Sequence, residues 1–343
     1  MRRLVQAAGL ALLGVVMSGQ MAQAVCNVSY RVQPEDTLFS IAQTHYGDSA
    51  GWTLIYYANQ GVLEAATGRV VVGSEVYIPC PARSAAADAT PLRGGKAEIS
   101  LLTGGDYAPF TDRDWPGQGM ATELVNAALE LAPQPVPYEI VWEDDWAQHL
   151  FPLLDSKAHD MGFPWLKPDC AATPDNARCA NFHFSEPLMD LPIMLFAKVD
   201  SGLVYESDAD VVGKRLCRPK GYFTHDLDRA GRHWLTQEKV TLVQADSPDA
   251  CFAALMAGEV DAVTVNIFLG ARKVVELGLK GQVLPLETPL SREALYVIIS
   301  KKHWRGTTLM YRLNAGLAAL KASGRYGEIV ARHLKIFQDE LAQ

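Results

Sequence analysis

Six cysteines and eight histidines are the side chains of this 343-residue sequence best suited to metal or redox chemistry. Structural zinc sites take cysteines in closely spaced pairs, because tetrahedral coordination draws two ligands from one tight turn. No C-x2-C pair occurs, and His149, His159, His183 and His225 follow no ligand spacing, so neither a metal nor any other cofactor is expected. An even number of cysteines points instead to disulfides, provided the chain reaches an oxidising compartment. No acid stands at a position that marks it as a general acid or base, and the sequence is not expected to be an enzyme.

The N-terminus supplies the compartment. Arg2 and Arg3 precede an apolar run from Leu4 to Met17, and Ala22-Gln23-Ala24 has the small-x-small pattern of a cleavage site. Residues 1–24 thus read as a secretory signal peptide, too short in its apolar part for a transmembrane anchor of about 20 residues. Cleavage removes two arginines and no acid, taking the formal charge from −8 to −10. Such an acidic balance argues against a nucleic-acid binder, which needs a basic surface to displace counterions. The 49% hydrophobic content excludes wholesale disorder. The mature chain is expected to be a soluble periplasmic monomer.

The elements that must position any site fall into two modules. Residues 81–96, rich in alanine, proline and glycine, have linker composition. Before them, residues 26–80 read as β-α-α-β. A strand covers Ser29 to Val32, a helix carries Leu38, Ile41 and Ala42, a second carries Trp52, Ile55 and Tyr56, and Val76 to Ile78 return as a strand. After the linker, apolar strands alternate with helical patterns. Strands are read at 97–102, 138–141, 160–163, 191–197, 215–217, 240–243, 262–265 and 295–300, and helices at 119–131, 146–154, 248–256, 309–320 and 326–334. That alternation predicts α/β architecture with parallel sheets covered by helices.

The small module resembles a LysM domain. The resemblance rests on Tyr30-Arg31-Val32-Gln33-Pro34-Glu35-Asp36-Thr37-Leu38, on Trp52, Ile55 and Tyr57-Ala58-Asn59, and on Val72-Gly73-Ser74-Glu75-Val76-Tyr77-Ile78-Pro79. It implies binding of N-acetylglucosamine-containing glycan, chiefly peptidoglycan, in a groove formed by Asp36, Thr37, Leu38, Asn59, Gln60 and Gly61. The plainer alternative is that Asp36 and Thr37 only cap a helix and Asn59 only ends one.

The large module, 97–338, resembles the periplasmic solute-binding proteins that serve polar amino acid transporters (family 3). Its matching stretches are Asp106-Tyr107-Ala108-Pro109-Phe110-Thr111, Gly119 to Val125, Asp160 to Trp165, Arg178 ahead of Phe184-Ser185-Glu186-Pro187, Val212-Gly213-Lys214, Gly221-Tyr222, and Ala257 to Val263. The resemblance implies a two-lobed type II periplasmic-binding-protein fold. Lobe 1 would span about 97–195 and 300–338, lobe 2 about 203–292, with crossings at 191–198 and 295–301. It also implies a ligand between the lobes, delivered to a membrane permease of the ABC transporter type or to a sensor. Arg178 falls at the position that grips a ligand carboxylate, a match for the flat two-pronged guanidinium. Tyr107 and Phe110 fall on the aromatic wall, Gly221 and Tyr222 on the lobe 2 turn, and Phe163 and Trp165 replace the usual hydroxyl residues. Arg215 and Arg218 read as surface arginines, and Asp261 as a brace for its strand.

Asn266 stands where an acid usually neutralises the ammonium of an amino acid ligand. A related carboxylate, a sugar acid or a wall fragment is therefore an alternative ligand. With the modules in place, the cysteines divide into three local pairs, Cys26 with Cys80, Cys170 with Cys179 and Cys217 with Cys251. The overall expectation is a binding protein tethered to the cell wall. The alternatives are an accessory or sensory scaffold with a degenerate cleft and, more remotely, a wall-acting enzyme.

Overall fold

The computed structural model describes residues 26–47, 51–59, 61–63, 69–80, 96–105 and 107–342. The signal peptide, nearly all of the linker, Gln60 and Asp106 lie outside the described residues. The small module runs β1 (Val28–Arg31), α1 (Leu38–Tyr46), α2 (Trp52–Ala58) and β2 (Glu75–Ile78). β1 and β2 pair antiparallel, Tyr30 opposite Val76. Thr37 caps α1 through a reciprocal box with Ser40. Leu38, Ile41, Ala42, Trp52, Ile55 and Ile78 form the buried face.

The large module continues with β3 (Ile99–Thr103), α3 (Met120–Glu130), β4 (Tyr138–Trp142), α4 (Trp146–Gln148), β5 (Met161–Leu166), α5 (Ala177–Asn181), β6 (Phe182–Phe184) and β7 (Met189–Lys198). Then come β8 (Arg215–Cys217), α6 (His225–Asp228), β9 (Thr241–Val243), α7 (Pro248–Met256), β10 (Ala262–Asn266), α8 (Ile267–Glu276) and β11 (Val283–Pro285). β12 (Ser291–Ser300), α9 (Gly306–Ala322) and α10 (Arg325–Ala342) close the chain. The strands join one ten-stranded sheet whose main path is β4-β3-β5-β12-β7-β10-β8-β9. It is mixed rather than purely parallel. β3 is parallel to β4 and β5, and β8 to β9 and β10, but β12 and β7 run antiparallel to their neighbours.

Those two long strands connect the lobes. β12 pairs with β7 over Ser291 to Leu295 and with β5 and β6 further on. β7 pairs with β12 over Met189 to Ile193, then with β10 and β11. β7 is buried on both faces over most of its length, as is the Val297–Ser300 end of β12, the pattern of a strand inside a covered sheet.

Several helices differ from expectation, including the short α5 and α6, which the sequence did not mark. The helical pattern at 146–154 is interrupted, because Phe151 is extended (φ −134°, ψ 116°) ahead of Pro152, as the residue before a proline tends to be. α8 was not anticipated. It follows β10 directly, with Asn266 as its cap, and Gly270 in its middle suggests a breaker. A side chain at Gly270 would clash with the Phe196 ring, so this glycine allows helix and strand to pack closely.

All three expected disulfides are present, Cys26–Cys80, Cys170–Cys179 and Cys217–Cys251. The small module does not stand apart from the rest. Helix α2 packs against α10, and their apolar residues belong to one continuous core. The Tyr57 hydroxyl donates to the Asp190 carbonyl of β7 at 2.7 Å. Arg292 of β12 lies over the Tyr56 ring at 5.0 Å and pairs with the Asp190 carboxylate at 2.9 Å. The module is thus seated on the two strands that connect the lobes.

Candidate functional site

A cleft of about 800 Å³ opens between the lobes. Lobe 1 lines it with Tyr107, Phe110, Lys167 and Arg178, lobe 2 with the turn at 221–225 and one face of α8, and β7 floors it with Leu191 and Ile193. Six of the eight expected ligand residues meet here, namely Tyr107, Phe110, Arg178, Gly221, Tyr222 and Asn266. Phe163 does not. It is fully buried in the core, and a buried Thr103 hydroxyl donates to its carbonyl. Trp165 is not in the lining either and stands behind Arg178.

Arg178 lies on the short helix α5. Asn176 caps that helix by accepting from the Arg178 N–H at 3.0 Å, and the Cys170–Cys179 bond holds the neighbouring residue. The guanidinium stacks over the Trp165 ring at 5.2 Å and donates to the Leu166 carbonyl at 3.3 Å. No carboxylate among the described residues pairs with it. Burial alone pulls its pKa below the ordinary value, the mark of a cation partly desolvated without a counter-ion. An incoming carboxylate would relieve that cost.

The aromatic wall is Tyr107 against Phe110 at 4.9 Å, and Phe110 meets Phe268 of α8 across the lobes at 5.0 Å. Burial pushes the Tyr107 phenol well up, so it stays neutral and can donate. Gly221 has φ +79°, a left-handed turn that suits glycine. The Tyr222 N–H is occupied by the Pro219 carbonyl, while its ring is 38% exposed at the cleft edge.

Arg218 is the clearest correction. Far from lying on the surface, it is 1% exposed and forms part of the cleft lining. It grips Asp226 with two bonds, of 2.5 and 2.9 Å, and also donates to Thr264 and the Phe223 carbonyl. This network holds the lobe 2 turn in place. Arg215 does lie near the surface, paired with Asp261, which also accepts from the Arg215 N–H and braces β8 against β10. His225 edges the cleft and meets Glu293 of β12 at 3.2 Å, and that bond raises its pKa.

The remaining charged residues of the lining went unnoticed in the sequence. Lys167 lies over the Phe184 and Tyr296 rings with no acid partner among the described residues. Arg272 pairs with Glu340, and Lys273 with Asp249 and Glu276. The apolar periodicity of Ile267 to Glu276 was the signal that would have found the last two.

In the small module, most of the residues expected to bind glycan also make local contacts. Asp36 accepts from the Tyr30 hydroxyl and the Gln33 N–H, each at 2.7 Å. Thr37 caps α1, and Leu38 is 7% exposed in the core. Asn59 is buried and tied to Ile55 and, through both ends of its amide, to Tyr77. Gly61 is exposed. No cluster of His, Cys, Asp or Glu that could hold a metal occurs among the described residues.

No family model matches the chain, and no curated protein matches it. Solved structures do. A histidine kinase sensor domain with similarity to periplasmic binding proteins aligns with a TM-score of 0.51 at 21% identity, covering 69% of this chain and 96% of that one. The GluR0 ligand binding core, in complex with L-glutamate, aligns with a TM-score of 0.52 at 16% identity, covering 70% of this chain and all of that one. The large module has the two-lobed periplasmic-binding-protein fold.

Proposed function

We propose that this protein captures a small polar ligand, an amino acid or related carboxylate, between its two lobes outside the cytoplasm, without catalysis. The observation that carries this reading is Arg178, presented to a cleft of about 800 Å³ with no acid paired to it among the described residues. Three disulfides support an oxidising compartment. Among the described residues, no helix is long and apolar enough to cross a membrane. In this reading the LysM-like module holds the protein to peptidoglycan, and a membrane permease or sensor receives the loaded form. The open, cationic cleft favours binding over a degenerate scaffold.

Thermal shift against amino acids, organic acids and muropeptides tests the reading. A ligand-dependent rise in Tm that Arg178→Ala abolishes is expected. A cleft that responds to no member of the panel, or a rise unchanged in the variant, defeats it. Sedimentation with purified peptidoglycan tests the tether separately, and full-length protein that stays in the supernatant refutes that part.

A further inference from the structure

The polarity of the cleft narrows the ligand class further, and this step rests on the carboxylate-binding reading above. An α-amino acid presents a carboxylate and an ammonium to its site. The ammonium needs acceptors, best of all a carboxylate. The acceptor expected at position 266 is altered twice here. Asparagine carries no charge, and its Oδ1 already accepts from the Leu269 N–H at 2.9 Å as the cap of α8. One of the two acceptor sites of Oδ1 is thereby filled, while Nδ2, which only donates, has no partner among the described residues.

Other lining groups point the same way. Thr264 Oγ1 accepts from Arg218 at 2.8 Å, so one of its acceptor sites is filled. Glu276, the acid of the lining among the described residues, is paired with Lys273 at 2.8 Å. Asp226 is buried at 0% exposure and bound to Arg218. Arg178 and Lys167 carry charge with no carboxylate partner among the described residues. Among the described residues the cleft thus presents unpaired positive charge and no free carboxylate, the strongest partner an ammonium could find.

We propose that the ligand is a carboxylic acid bearing a keto or hydroxyl oxygen, not an ammonium, beside its carboxylate, with the Asn266 amide donating to that oxygen. Asn266 is then a specificity-determining residue.

Calorimetric titration of the full chain with matched pairs tests this: L-alanine against pyruvate and L-lactate, L-aspartate against L-malate, and L-glutamate against 2-oxoglutarate. The oxygen acid of the best-bound pair is expected to bind at least tenfold more tightly than its amino partner. Asn266→Asp keeps a good helix cap while restoring the charge. It should move the ratio at least tenfold toward the amino acid. An amino acid that binds wild type as tightly as its oxygen partner overturns the proposal and leaves the carboxylate-binding reading standing. An Asn266→Asp variant that melts like wild type yet leaves the ratio unchanged removes Asn266 from the argument and overturns its assigned role. Absence of binding by every acid of both kinds overturns the carboxylate reading and this inference together.

Discussion

Tyr57 belongs to the small module, yet its hydroxyl bonds to the strand that connects the lobes. Its side chain is 9% exposed and its hydroxyl donates to the Asp190 carbonyl at 2.7 Å. Tyr57→Phe keeps the ring and removes the bond, a loss of about 1 kcal/mol for a net intramolecular hydrogen bond. Tyr57→Ala removes the ring as well, and truncating a buried aromatic costs about 3–5 kcal/mol. At about 2–4 °C per kcal/mol for a domain of this size, Tm should fall by about 3 °C in the first variant and about 10 °C in the second. Calorimetry of the full-length chain supplies the measurement. Because α2 and the large module share one core, wild type should give one cooperative transition. If two separate transitions appear, and Tyr57→Ala lowers only that of the small module, the seating of α2 on the connecting strands is not energetically significant and the argument fails.

Arg218→Met leaves the Asp226 carboxylate buried without its guanidinium, and breaking such a pair costs about 3–5 kcal/mol. Urea denaturation should register it, and a change below about 1 kcal/mol would show that Asp226 finds solvent or another partner. His225 carries a pKa raised by its bond to Glu293, so its contribution to stability is fully present below the unfolded pKa of about 6.5 and is lost as pH rises through the higher folded value. His225→Gln should flatten the stability profile across that alkaline side, as followed by Tm against pH, and a profile identical to wild type refutes the assignment.

The strands, helices and disulfide pairs of this chain follow period and local spacing, and most were readable. Reading was hardest where one residue does two jobs. Asn266 looks like a ligand group by position, yet its acceptor caps a helix whose central Gly270 disguises it. Arg218 sits among polar turn residues, and nothing in its neighbourhood signals that Asp226 folds back to bury it. Trp165 was legible as an aromatic near the ligand but not as a platform beneath Arg178, because that depends on α5 bringing Arg178 onto the end of β5. The contact between Tyr57 and Asp190 spans 133 residues, beyond any local pattern.

The seat of the small module has a mechanical consequence. Were the two lobes to swing together, the part travelling least would be the strands that pass between them, and β7 and β12 occupy that place in the sheet. A body fastened at the axis leaves both leaves of the clamshell free to turn and does not load one against the other. Whatever grips residues 26–80 would then hold this protein near its pivot, through the contacts of α2 with α10 and β7.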